Sequence, residues 1–176
     1  MTGEAVFLVT GPSAAGKTTV ARLLARRFER GVHLEGDVFR RSIVAGRREM
    51  TPDAGSDALA QLRLRYRLAT SAADTYSAEG YTVVLEDVVA GDELPVYVEL
   101  VRARPRHVVV LLPSLDAIRE RNAGRTTGGY AAWSVEALYE LFAKRTPRVG
   151  LWLDTSNQTP EETVDEILRR VPVAAS

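Results

Sequence analysis

No cysteine occurs among the 176 residues. That excludes disulfides, thiol nucleophiles and cysteine-ligated metal centres. Histidine is nearly as scarce. His33 and His107 each stand at the start of an apolar run with no Ser–Asp pattern nearby, so both are read as structural or surface residues. Lysine occurs only at positions 17 and 144, and neither sign of charge is in excess: Lys plus Arg and Asp plus Glu each number 23. A net charge of zero gives no global field toward nucleic acid or an anionic membrane. No apolar segment approaches the roughly 18 residues of a membrane-spanning helix. Glu4 interrupts the first apolar stretch, which leads into a glycine-rich turn rather than a cleavage site. There is no repeat, low-complexity tract or linker. These absences predict a cytoplasmic protein of one domain, residues 1–176, monomeric or homodimeric, with no membrane or nucleic-acid partner.

What is present is alternation. Five apolar runs read as strands: Ala5–Thr10, Val32–Glu35, Tyr81–Asp87, His107–Leu112 and Gly150–Asp154. Helical patterns fill the gaps, which implies an α/β fold with a parallel sheet covered on both faces. Most of the runs are almost continuously hydrophobic, as strands buried on both sides require. Thr159-Pro160-Glu161-Glu162 spells a capping box with Pro at the first helical position. Ser114 and Ser134 read as N-caps, and a long helix is expected from about Asp57 to Ala78. Gly46–Ser56 and Gly124–Trp133 fit no regular element and read as functional loops.

The strongest motif is Gly11-Pro12-Ser13-Ala14-Ala15-Gly16-Lys17-Thr18, which fits G-x-x-x-x-G-K-[ST]. A buried strand precedes it, and Val20, Leu23, Leu24 and Phe28 come after it at helical spacing. Strand, glycine turn and helix N-terminus together make an anion site, because backbone N–H groups and the helix dipole point at the same place. Lys17 would reach the β- and γ-phosphates of a nucleotide, the Thr18 hydroxyl would bind Mg²⁺, and Thr19 belongs to the same turn.

Four further segments bear on the chemistry that nucleotide binding would serve. In Leu34-Glu35-Gly36-Asp37-Val38-Phe39-Arg40-Arg41, Asp37 lies where the second strand ends, the edge at which ligands sit in open α/β sheets. A carboxylate there can accept the proton of an attacking hydroxyl, or cap the next helix. Arg40 and Arg41 can bind an anionic substrate group. Val83-Val84-Leu85-Glu86-Asp87 is an apolar strand ending in acids, similar to a Walker B strand. Asp87, beyond the apolar run, is favoured over Glu86 for organising Mg²⁺ with Thr18 and is also placed at the substrate. Arg121 and Arg125 share a helical face if that helix continues, and can close over the transferring phosphoryl group from a lid at about 119–133. Thr155, with Ser156, lies just after the last strand and is placed at the adenine. The acceptor pocket is assigned to residues of about 40–80.

Together these motifs resemble the small P-loop kinases, especially the chloramphenicol phosphotransferase-like family. The family's P-loop corresponds to Gly11–Thr18, its strand-end base to Asp37, its paired acids to Glu86-Asp87, its lid to Arg119–Arg125 and its late Asp-Thr to Asp154-Thr155. Gly36-Asp37-Val38-Phe39-Arg40 is also similar to a stretch of adenylylsulfate kinases, and gluconate and shikimate kinases share the layout. The resemblance implies a three-layer P-loop NTPase fold, a five-stranded parallel sheet of order 2-3-1-4-5, ATP and Mg²⁺ as co-substrates, and a small-molecule acceptor. A nucleotide-binding regulator, an adenylylsulfate-kinase-like enzyme and a nucleic-acid-end kinase are the alternatives.

Overall fold

The computed structural model describes residues 5–123 and 132–171. In chain order the elements are β1 (Val6–Thr10), α1 (Lys17–Ala25), β2 (Gly31–Glu35), α2 (Asp37–Arg41), α3 (Ser56–Ala78), β3 (Thr82–Glu86), α4 (Glu93–Leu100), β4 (Arg106–Leu111), α5 (Leu115–Asn122), α6 (Val135–Glu140), β5 (Leu151–Leu153) and α7 (Pro160–Arg170). The last turn before β5, Leu141–Arg145, is π-helical.

The five strands form one parallel sheet in the order β2-β3-β1-β4-β5, as expected. At the carboxyl edge the register aligns Val9 and Glu35, on either side, with Glu86 of the intervening β3. Side chains alternate across the sheet. Val6, Leu8, Val83, Leu85, Val108 and Val110 pack toward α3, α4 and Phe142. Phe7, Val9, Val84, Val109 and Leu111 pack toward α1 and α7, on Val20, Leu24, Val164 and Ile167. Each such side chain removed from water contributes about 1.5–3 kcal/mol, so both faces hold the strand ends rigidly.

The helix ends agree with the sequence signals. Ser114 accepts from Ala117 N, and Ser134 from Ala137 N. Thr159 and Glu162 form the reciprocal capping box of α7. One helix was not singled out, α4, in which Pro95 occupies the first turn, where its missing N–H has no helical partner to lose. The short α2 is the helix that Asp37 was read as able to cap; Asp37 is its first residue and Gly36 stands at the cap position. Among the described residues, no helix is long and apolar enough to cross a membrane.

Candidate active site

The turn after β1 is shaped by close backbone approach. Gly11 has φ 150°, and a Cβ there would lie 2.3 Å from the Leu111 carbonyl oxygen of β4. No side chain fits in that space, so the loop passes directly over the strand. Ala14 at φ 62° and Gly16 at φ 91° then bend the chain into α1, whose first N–H groups open into the loop. Lys17 Nζ donates to Pro12 O at 2.9 Å, within the loop itself. Thr10 ties the loop's base to the segment after β3: its hydroxyl donates to Val89 O and accepts from Val89 N, both at 3.0 Å.

The end of β3 separates two acids. Glu86, like Val84, turns to the α1 face. Thr18, His33 and Lys17 lie around its carboxylate. His33 Nε2 is 3.6 Å away. Burial pushes the Glu86 carboxyl up, but the polar side chains of His33 and Thr18 and the Lys17 charge outweigh it and hold the group below its ordinary range. His33, Glu35 and Glu86 each bring a ligand atom within 4.8 Å of the others, so this corner can accept a cation.

Asp87 turns to the α3 face. It accepts from Arg65 Nη2 at 2.6 Å and from Val88 N at 2.7 Å. Complete burial dominates over Arg65 and lifts its carboxyl to about 6. Of the two acids between which the metal role was divided, Asp87 is therefore the one that lies apart from Thr18. The strand's two-residue alternation sends Asp87 away from Thr18, and the carboxylate beside Thr18 is Glu86.

On the acceptor side, Asp37 is ringed by three arginines. Arg40 donates to both carboxylate oxygens at 2.6 and 3.2 Å, Arg41 approaches at 3.4 Å and Arg65 at 3.7 Å. Burial pushes Asp37 up, but the Arg40 hydrogen bond and the charges of Arg40, Arg65 and Arg41 prevail, and its carboxyl falls below the ordinary value. Arg40 also grips Glu49 at 2.7 and 2.9 Å. Beside this cluster a narrow cleft is lined by Arg40, Ile43, Met50, Leu62 and Arg65 among others. Trp133 Nε1 donates to Met50 O at 2.9 Å, closing one side of the loop at 46–55.

At the other end, Arg121 donates to Thr155 O at 2.8 Å and reaches Ser156 O at 3.4 Å. The end of α5 directs Arg121 to the loop after β5 in this structure. Thr155 Oγ1 is buried without a hydrogen-bond partner among the described residues. Arg125, with residues 124–131 of the expected lid, lies outside the described residues. Arg119 pairs with Glu136 and Asp116 at the surface. The residue that sequence reading missed is Arg65. Its signal is an arginine inside the apolar stripe of α3, between Leu62 and Tyr66.

A family model described as an AAA domain matches residues 6–147. No curated protein sequence matches the chain. Among solved structures, an unliganded sugar kinase from Janibacter sp. HTCC2649 superposes with a TM-score of 0.71 at 20% identity, over 98% of this chain and 96% of that one. The APS kinase CysC of Mycobacterium tuberculosis, in complex with AMPPNP and APS, gives 0.67 at 20% identity over 96% of each chain. Shikimate kinase from Acinetobacter baumannii, in complex with shikimate, gives 0.65 at 20% identity over 94% and 91%. At these identities the likeness is one of fold: that of P-loop small-molecule kinases in general, with nothing that singles out the chloramphenicol phosphotransferase-like family.

Proposed function

Because this chain belongs to the AAA domain family, we propose that it is an ATP-dependent phosphotransferase that moves a phosphoryl group to a hydroxyl of a small molecule. One observation carries this reading. Asp37, held by Arg40, Arg41 and Arg65, stands at the end of β2, with only β3 between it and the strand that feeds the phosphate loop. A hydroxyl beside Asp37 and a nucleotide on the loop share the carboxyl edge of one sheet.

On the nucleotide side, the backbone of Gly11, Pro12, Ser13, Ala14, Ala15 and Gly16 and the start of α1 at Lys17, Thr18 and Thr19 would hold the triphosphate. The side-chain-free approach at Gly11 and the open N–H groups of α1 suit that cargo. Lys17 would exchange Pro12 O for phosphate oxygens. Thr18 and Glu86 fit a magnesium ion, which when bound supplies neutralisation of phosphate charge. The buried hydroxyl of Thr155 and the Arg121-braced loop would meet the base.

On the acceptor side, Asp37 accepts the hydroxyl's hydrogen bond and orients its oxygen at the γ-phosphorus. As the new O–P bond forms and the bond to the β-phosphate oxygen breaks, the hydroxyl proton passes to Asp37 and ADP departs. A carboxylate held below its ordinary pKa is a weak base, which suits a loose transition state that needs orientation more than early deprotonation. Arg40 and Arg41 would balance charge on acceptor or transferred group.

The test is an ATP-consumption screen over hydroxylated antibiotics, sugars, sugar acids and nucleosides. Lys17→Ala should abolish turnover and weaken binding of a fluorescent ATP analogue by about tenfold or more, the loss of a charge-assisted contact. Asp37→Asn should lose transfer and keep ATP affinity near wild type. Full transfer by Asp37→Asn would remove Asp37 from the reaction.

A further inference from the structure

Arg65 is 5% exposed and lies between Leu62, Tyr66 and Ala69 on the inner face of α3. A buried guanidinium is costly unless its charge is matched. Here it is matched by carboxylates from two other elements. Nη2 donates to Asp87 Oδ1 at 2.6 Å, and Nη1 lies 3.7 Å from Asp37 Oδ1.

The Asp87 end of this bridge is fixed. Val88 N holds Oδ1. Oδ2 is buried against Gly36, where a Cβ would come within 2.1 Å of it. The Asp37 end is different. Arg40 and Arg41 stand on the same short helix as Asp37, three and four residues on, and reach outward to Glu49 of the loop and Glu35 of β2. Among the described residues, Arg65 alone approaches the Asp37 carboxylate directly from another element.

We propose that Arg65 is a positioning residue for Asp37: anchored on Asp87 at the rigid end of β3, it sets the direction in which the Asp37 carboxylate meets the acceptor hydroxyl. This inference rests on the phosphotransferase reading above. It also gives Asp87 its place, as the anchor of Arg65. An Arg65 that merely filled the core would be replaceable by an apolar side chain at no cost to transfer. An Arg65 that positions Asp37 is not.

The experiment compares Arg65→Met, Arg65→Lys, Asp37→Asn and the doubles Arg65→Met/Asp37→Asn and Arg65→Met/Asp87→Leu. The last removes both buried charges together and keeps the core filled, so it remains folded where Arg65→Met alone leaves Asp87 unmatched. With the panel acceptor that the wild type phosphorylates, Arg65→Met/Asp87→Leu should lower kcat by about 30-fold or more and leave acceptor KM within about threefold. Affinity for the fluorescent ATP analogue should be unchanged. Arg65→Lys should recover part of kcat. Arg65→Met/Asp37→Asn should be no slower than Asp37→Asn, since the two residues act as one unit.

A second readout needs no acceptor. The carboxyl-carbon NMR resonance of Asp37 at neutral pH, assigned by its loss in Asp37→Asn, should be displaced in Arg65→Met/Asp87→Leu relative to wild type, because the guanidinium that orients the carboxylate is gone. Wild-type kcat in that variant, additive losses in the doubles, or an unmoved Asp37 resonance would overturn the proposal. If no panel member is phosphorylated, the phosphotransferase reading is what fails, and the Asp37 resonance still decides whether Arg65 governs Asp37.

Discussion

Glu86 and Asp87 are consecutive in the chain, yet Glu86 meets Thr18 on one face of the sheet and Asp87 meets Arg65 on the other. The two carboxylates are chemically alike. Their environments divide them, one lowered in pKa and one raised to about 6.

That division predicts different consequences for two isosteric changes. Glu86→Gln should weaken magnesium-dependent binding of a fluorescent ATP analogue by about tenfold, whereas Asp87→Asn should alter it by less than roughly twofold. Titration of the analogue at fixed and at varied Mg²⁺ measures both. Equal losses in the two variants would contradict the assignment.

Gly36 is a steric partner of Asp87. Its backbone, at φ −60° and ψ −30°, is open to any residue, but a Cβ would lie 2.1 Å from Asp87 Oδ2. Gly36→Ala should therefore cost about 1–3 kcal/mol through overpacking. In an Asp87→Ala background, where the carboxyl group is gone and only the residue 87 Cβ remains, 3.1 Å away, the same change should cost less than in wild type by about 1 kcal/mol or more. Urea unfolding of the four proteins in this cycle is the measurement.

The pH dependence of stability carries a sign that belongs to Asp87. Its native carboxyl titrates near about 6, against about 3.9 in an unfolded chain. Between those values the native state binds the extra proton, so this group makes stability rise as pH falls from about 6 to about 4. Asp37 and Glu86 act in the opposite sense: their folded values are lowered, so the stability they add at neutral pH is lost only as the pH drops through and below the ordinary carboxylate range. Relative to Asp87→Asn, wild type should gain at most about 3 kcal/mol between pH 7 and pH 4. Denaturation curves across that range check it; a constant difference between the two proteins would refute it.

Thr159→Ala removes one arm of the α7 capping box, in which Glu162 N donates to Thr159 Oγ1 at 3.1 Å. About 1 kcal/mol of stability should be lost. Nucleotide affinity should stay at the wild-type value, because the cap lies outside the loop and both acidic clusters.

Much of this arrangement is legible in the chain because burial dictates it. The five strands fall within about two residues of the apolar runs, since a doubly covered parallel strand leaves no polar position to blur its limits. Helix α4 escaped notice for the converse reason: Leu94-Pro95-Val96-Tyr97-Val98 has β-branched residues and a proline, and only tertiary packing makes it helical. At the site, the phosphate loop and Asp37 are written locally. The division between Glu86 and Asp87 was present as strand periodicity, with Val84 and Glu86 on one side and Val83, Leu85 and Asp87 on the other. Arg65 was hidden because its partners lie 22 and 28 positions away along the chain. Spacing on a helix reports that a residue faces inward; it does not report what charge awaits it there.

The placement of β3 between β1 and β2 has one more effect. Parallel strands stand about 4.8 Å apart, so the ends of β1 and β2 are held about 10 Å from each other by two hydrogen-bonded ladders. The gap between the phosphate loop and Asp37 is thus a ruler made of backbone. Changes in the segment 46–55 can alter the shape and charge of what is admitted beside Asp37, but they cannot lengthen or shorten that reach. Evolution of a new acceptor preference in this architecture is free in width and confined in span.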